Sequence, residues 1–220
     1  RSGGLRFEQV VRRALDGNTS IYSPRPTFAE DSIAVVNPRV AVSWRALAGD
    51  RSWFRVHGGA GTGMRAPSAF EIAFTDNPGL KPERTRSLEG GVEAGWLGGR
   101  LIADALYFRN DFDDLIVTVS RVPGTSSYTS DNISNAFSEG VEASLSLRPT
   151  TALTVRGGLV GQRTGILAND DRPDAPTPFE PGDRLLRRPD FTGFVDVLVT
   201  TGRVSAFFRV DGRSNAADID

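Results

Sequence analysis

The sequence has no cysteine, one histidine, one methionine and three tryptophans among 220 residues. Without cysteine there is neither a disulfide framework nor a thiolate metal site. The lone histidine, His57, stands between Arg55 and Gly59 in an alternating run and reads as a hydrogen-bonding residue rather than a metal ligand. No apolar run approaches the ~20 residues that a membrane-spanning helix requires, and no charged-then-apolar leader opens the chain. A membrane role therefore requires a barrel. An excess of one charge is also lacking: 26 basic and 27 acidic residues are interleaved and sum to −1. That balance gives no electrostatic footprint for nucleic acid, which is set aside as a partner. There is no nucleophile elbow, no phosphate loop and no motif-fixed carboxylate pair, so no catalytic residue is assigned and no cofactor is implied. Asp170, Asp171 and Asp174 read as solvated loop residues rather than calcium ligands, and no metal site is assigned.

What the chain does have is period-two alternation. Val40, Val42, Trp44 and Ala46 alternate with Arg39, Ser43 and Arg45, and after a turn near Gly49 the run returns with Phe54, Val56, Gly58 and Ala60 opposite Arg55 and His57. Leu88, Val92, Ala94 and Trp96 face away from Glu89, Gly91 and Glu93 before Gly98-Gly99, a dipeptide suited to a two-residue hairpin. Further runs fall at 101–119, 141–147, 153–162, 191–199 and 204–210, which makes eight strand candidates. Residues 1–37 read as having little structure. The connections alternate short (49, 98, 149 and 201–202) with long (62–85, 122–131 and 164–186), as in a transmembrane barrel with short periplasmic turns and long extracellular loops. Alternation alone also suits a soluble β-sandwich, but several runs reach the ~10 residues of a tilted spanning strand. The expected fold is all-β: an antiparallel transmembrane barrel of which about eight strands are present. The alternative is a small outer-membrane barrel or soluble β-sandwich with a structural, adhesion or passive-pore role. On the barrel reading Arg55, His57, Glu89, Glu93, Asp104, Glu142 and Arg156 face the lumen.

The stretch from Gly61 to Gly95 carries the most specific signal. Gly61, Gly63 and Pro67, followed by Pro78 and Pro82, predict a long shaped loop in which no strand survives, with alternation resuming at Ser87. Gly61, Gly63, Arg65, Ala66, Pro67, Ser68 and Glu71, then Asn77, Pro78, Leu80, Lys81, Pro82 and Glu83, then Glu89, Gly91 and Glu93, together resemble the TonB-dependent receptors of bacterial outer membranes. Met64 stands where that family usually has Phe; the YFRNDFDDLI run ending at Ile116 and the NAFSEGVE run from Asn135 also fit.

The resemblance implies a lumen plugged by a separate N-terminal domain, with Arg55, His57, Asp104, Glu142 and Arg156 available to contact it. It implies outer-membrane lipid, that plug, the TonB complex acting through it, and a metal chelate as partners. It makes the whole of residues 1–220 an internal slice of a barrel, with plug and closing strand lying outside it. The run from Asp183 to Pro189, containing Arg184, Arg187 and Arg188, is similar to the cobalamin branch and offers weak candidates for ligand binding. Ferric siderophores are the commoner cargo of the family. The expected function is TonB-coupled uptake of one of the two.

Overall fold

The computed structural model describes residues 2–19, 27–68, 71–72, 79–120, 128–168 and 179–216. They form one nine-stranded antiparallel sheet in sequence order: β1 (Ser2–Arg12), β2 (Asp31–Ala48), β3 (Trp53–Arg65), β4 (Glu83–Trp96), β5 (Leu101–Ser120), β6 (Tyr128–Leu147), β7 (Leu153–Ala168), β8 (Phe191–Thr201) and β9 (Val204–Arg213). Each strand pairs with its sequence neighbour, so every connection is a hairpin. β5 and β6 run 20 residues each, several times the length of a usual globular strand.

Four differences from the sequence reading have physical causes. Within residues 1–37, Ser2–Arg12 form a strand: β1 pairs with the first half of β2, from Ser2 opposite Ala41 to Arg12 opposite Asp31. Leu5, Phe7 and Val11 alternate there with Arg6, Glu8 and Arg12, a signal obscured by Gly3 and Gly4. The Gly61 to Gly95 stretch is not one loop, because β3 continues through Gly61 and Gly63 to Arg65 and β4 begins at Glu83. A Cβ on Gly61 would lie 3.3 Å from Arg39 Cγ, so the glycine makes room for a neighbouring side chain rather than breaking the strand. The turn after Trp96 is a 3₁₀ turn over Leu97–Gly99 rather than a two-residue hairpin, with positive φ at Leu97 (55°), Gly98 (66°) and Gly99 (84°). The long connections are shorter than expected: β6 has begun by Tyr128, and β7 persists to Ala168.

The short turns sit together at one end and are tied to each other. Gly98 N–H donates to Arg51 O at 3.1 Å, Arg148 N–H to Arg100 O at 2.7 Å and Thr200 N–H to Ala152 O at 2.7 Å.

The two faces of the sheet differ sharply. Register aligns Trp44, Val56, Val92, Ala105, Ala143 and Leu159 in one row across six strands. Leu145, Val195, Phe208 and Val210 have the same parity and are exposed, as are most of the large apolar residues of that face. Such a contiguous uncovered surface exceeds what a water-soluble monomer tolerates. The opposite face carries the charges. Among the described residues, compact apolar packing lies at the long-loop end, in one cluster of Ala136, Ile166, Phe179 and Leu185 and another of Phe28, Ile72, Leu80 and Ile116.

Candidate functional site

The polar face is a wall of paired charges set by strand register. Arg55, Glu93, Asp104 and Ser144 form one row. Arg55 pairs with Glu93, and its guanidinium lies 6.0 Å from the centroid of Trp53, with Arg45 at 5.8 Å from the same ring. In the next row, His57, Gly91, Leu106 and Glu142 are aligned. A Cβ on Gly91 would lie 2.6 Å from Ala105 O and 2.9 Å from His57 Cε1. The bare glycine therefore lets the imidazole cross β4 and place Nε2 3.0 Å from Asp104 Oδ2 on β5. Glu89 likewise lies over Gly59, whose Cβ would sit 3.0 Å from Glu89 Oε1. Arg156 faces Asp196 across β7 and β8.

Two concavities lie on this face. One, of about 640 Å³, is lined by Arg39, Glu89, Phe108, Glu142, Gln162 and Arg188. The other, of about 870 Å³, is bordered by Asp104, Glu142, Phe194, Arg209, Asp211 and Arg213. Glu142 belongs to both. Arg188 is thereby the one of the three weak ligand candidates that reaches the wall among the described residues; Arg184 pairs with Asp190, and Arg187 adopts φ 56°.

At the long-loop end the family-like residues act as anchors. Arg65, the last residue of β3, donates from Nη1 to both Glu71 oxygens (2.9 and 3.0 Å) and from Nη2 to Glu83 Oε2 (2.9 Å). Ser68 N–H donates to Glu71 Oε2 at 2.7 Å while Glu71 N–H donates to Ser68 Oγ at 3.2 Å, the reciprocal pair of a capping box. Burial works against the Glu71 carboxylate, but the Ser68 amide and the Arg65 guanidinium outweigh it and hold the carboxyl below its ordinary range. Leu80 is buried, Lys81 N–H donates to Asn132 Oδ1 at 2.9 Å, and Asn132 Nδ2 donates to Lys81 O (3.1 Å) and Asp114 O (2.7 Å). Ala66 and Pro67 follow Arg65 in the chain, and Pro82 precedes Glu83 at the start of β4. Asn77, Pro78 and the Asp170, Asp171 and Asp174 group lie outside the described residues.

Residues 179–190 fold back along the upper part of β7. Ile166 N–H donates to Asp183 O at 2.8 Å, Gly182 N–H to Ile166 O at 2.8 Å, and Gln162 Nε2 to Pro189 O at 2.9 Å. Phe179 and Leu185 thereby bury against Ala136 and Ile166, with Phe112, Leu115, Val117 and Leu186 around them. Asp114, at φ 55°, interrupts the alternation, so even-numbered Phe112 and odd-numbered Leu115 join the same cluster.

Sequence reasoning missed Asn132, which lies only one residue beyond a stretch read as loop and pairs with a segment 51 residues away. No local pattern encodes that contact. It also missed the Gly91, His57 and Asp104 crossing, although the glycine at the centre of the Glu89 to Glu93 motif was visible.

Residues 2–218 match the family model described as TonB dependent receptor-like, beta-barrel. An 84-residue stretch is 37% identical to the vitamin B12 transporter BtuB of Vibrio vulnificus, covering 37% of this chain and 13% of that protein. Among solved structures, the copper transporter OprC is similar with a TM-score of 0.65 at 22% identity, over 94% of this chain and 31% of that one. The FrpB iron transporter from Neisseria meningitidis is similar with a TM-score of 0.61 at 18% identity, over 94% and 29%. At such identities the structural likeness speaks for the fold, and the chain spans less than a third of each relative's length.

Proposed function

This chain belongs to the TonB-dependent receptor β-barrel family, and from that premise we propose that it forms part of an outer-membrane receptor for TonB-coupled uptake of a metal chelate. The family consists of outer-membrane receptors rather than enzymes, so the apolar face meets lipid and the polar face lines the lumen. The observation that carries the proposal is the family match over residues 2–218.

Three features of the chain support it. Arg55, His57, Glu93, Asp104, Glu142 and Arg156 give the lumen wall both signs of charge, which suits contact with a plug domain supplied from outside these residues. The Arg65 clamp and the 179–190 segment hold loop residues at the outer mouth. Arg188 brings a cation to the concavity nearest that mouth, where an anionic chelate would enter.

Cobalamin is the first cargo to test, because the Vibrio vulnificus relative transports vitamin B12 and the Asp183 to Pro189 run is similar to that branch. Ferric siderophores are the second, in keeping with the siderophore receptors among the structurally similar proteins. The decisive experiment is growth of a strain in which the complete gene supplies the only receptor. Rescue by cobalamin or by a ferric siderophore, lost when TonB is deleted, is the expected result. Rescue by neither, or rescue that survives TonB deletion, removes the proposal.

A further inference from the structure

Each of the four short turns carries one arginine: Arg51 between β2 and β3, Arg100 between β4 and β5, Arg148 between β6 and β7, and Arg203 between β8 and β9. A single carboxylate, Asp50, accompanies them, so four positive charges stand against one negative. All four arginines are exposed, and none of their side chains makes an ion pair or hydrogen bond among the described residues. Elsewhere in the sheet Arg12, Arg55, Arg65 and Arg86 each meet a carboxylate. The short-turn rim is where guanidiniums are left unmatched.

The backbone fixes these positions. Gly98 N–H donates to Arg51 O and Arg148 N–H donates to Arg100 O, so the turns that bear the arginines are linked directly to their neighbours. Within the turns, Gly49 N–H donates to Ser52 O at 2.9 Å, and Thr150 Oγ1 accepts from Ala152 N–H at 3.2 Å and Leu153 N–H at 3.1 Å. Successive turns are two strands apart, ~10 Å at ~4.8 Å per strand. The arginines therefore form a spaced row along the rim.

Apolar side chains stand beside that row. Leu47 is 55% exposed, Leu97 65% and Val204 68%, each within four residues of an arginine of the same turn. Leu97 is also held at φ 55°, a region that leucine rarely adopts, without burying its side chain against the sheet. Contact with acyl chains supplies the burial that the sheet does not. Trp44 and Trp96 are exposed on the same lipid face, and such aromatics mark the boundary between lipid tails and headgroups. The arginines lie just beyond that boundary, at the level of the headgroups.

A soluble acidic partner would match the charge but leave Leu47, Leu97 and Val204 in water. A bilayer surface matches both. Guanidinium pairs bidentately with phosphate, and a row of cations with no carboxylate beside most of them repels a headgroup that carries its own ammonium. Clusters of basic residues at a membrane surface select anionic lipid for that reason.

We propose that the short-turn rim binds acidic glycerophospholipids of the periplasmic leaflet, with the guanidiniums of Arg51, Arg100, Arg148 and Arg203 on their phosphodiesters. The assignment rests on the orientation of the barrel, with its short turns in the periplasm, and not on the identity of the cargo.

The test uses the full-length receptor in detergent and compares its melting temperature with added phosphatidylglycerol, phosphatidylethanolamine and inorganic phosphate. Phosphatidylglycerol is expected to raise the melting temperature at least twice as far as phosphatidylethanolamine, with no shift from inorganic phosphate. In the Arg51→Gln/Arg100→Gln/Arg148→Gln/Arg203→Gln variant that preference disappears. Arg100→Gln/Arg148→Gln, which leaves the other two arginines in place, reduces it and decides the matter where the quadruple variant does not fold. Equal shifts from the two lipids, a shift from inorganic phosphate as large as that from phosphatidylglycerol, or a full preference retained in both variants overturns the proposal.

Discussion

His57 reaches Asp104 only because position 91 carries no side chain. Replacing Gly91 by Ala places a methyl within 2.6 Å of Ala105 O and 2.9 Å of His57 Cε1, so the imidazole is displaced. The expected cost is ~1–3 kcal/mol, typical of overpacking, read as a lowered urea midpoint of the full-length receptor; an unchanged midpoint would show that the wall yields at no cost. Glu71 provides a second residue-scale prediction. Its folded pKa lies below the ordinary value, so its contribution is present above the unfolded pKa of ~4.3 and is lost as pH falls through the lower folded value. The chain at Arg65–Ser68 is therefore expected to resist protease at pH 7 and to become cleavable below about pH 4, beneath that unfolded value. In Glu71→Gln it is cleaved at both pH values, since Arg65 and the Ser68 amide lose the carboxylate.

A strand of this sheet meets two solvents, and the same substitution has different consequences on its two sides. Val92 is on the lipid face, in the row of Val56 and Ala105, while Ser144 on β6 shares the lumen row of Asp104. Val92→Arg is expected to destabilise the barrel by ~2–4 kcal/mol in vesicles, whereas Ser144→Arg costs less than ~1 kcal/mol. Similar losses at both positions would contradict the assignment of faces. The 79–82 segment is fastened to β5 and β6 through Asn132, which is 2% exposed and makes three hydrogen bonds to Lys81 and Asp114 backbone groups. Asn132→Ala leaves those groups without their partner and is expected to cost ~1–3 kcal/mol. Faster hydrogen exchange confined to residues near Lys81 is the accompanying sign, and exchange that stays slow there would show that Leu80 burial alone holds the segment.

At the scale of the molecule, β1 and β9 are the two ends of an open sheet and do not pair with each other. In lipid, unpaired strand edges cost several kcal/mol per backbone group, so residues 1–220 expressed alone are not expected to fold into a membrane. A heat-modifiable, protease-resistant band from that piece would refute this. Sidedness is checked in the complete receptor on intact cells. An epitope inserted between residues 169 and 178 is expected to be labelled, and one at Gly202-Arg203, in the short turn between β8 and β9, only after permeabilisation.

Alternation at Val40 to Trp44, Leu88 to Trp96 and Phe191 to Val199 was enough to give the all-β class, the two faces and the rhythm of turns, because a strand's side-chain period is local. The family-like run from Gly61 to Glu93 was legible for the same reason: its residues lie close together in the chain. Local reading failed where glycine and proline carried tertiary meaning. Gly61 and Gly63 looked like breaks and instead lie within β3 beside Arg39 and opposite Arg86 and its neighbours, while β1 became recognisable through its pairing with β2. The partners of Glu71 and Arg65, the crossing of His57 over β4 and the fastening of Lys81 by Asn132 depend on registers between segments up to 51 residues apart. Register across a sheet is set by how whole strands pack and pair, and only the tertiary structure decides it.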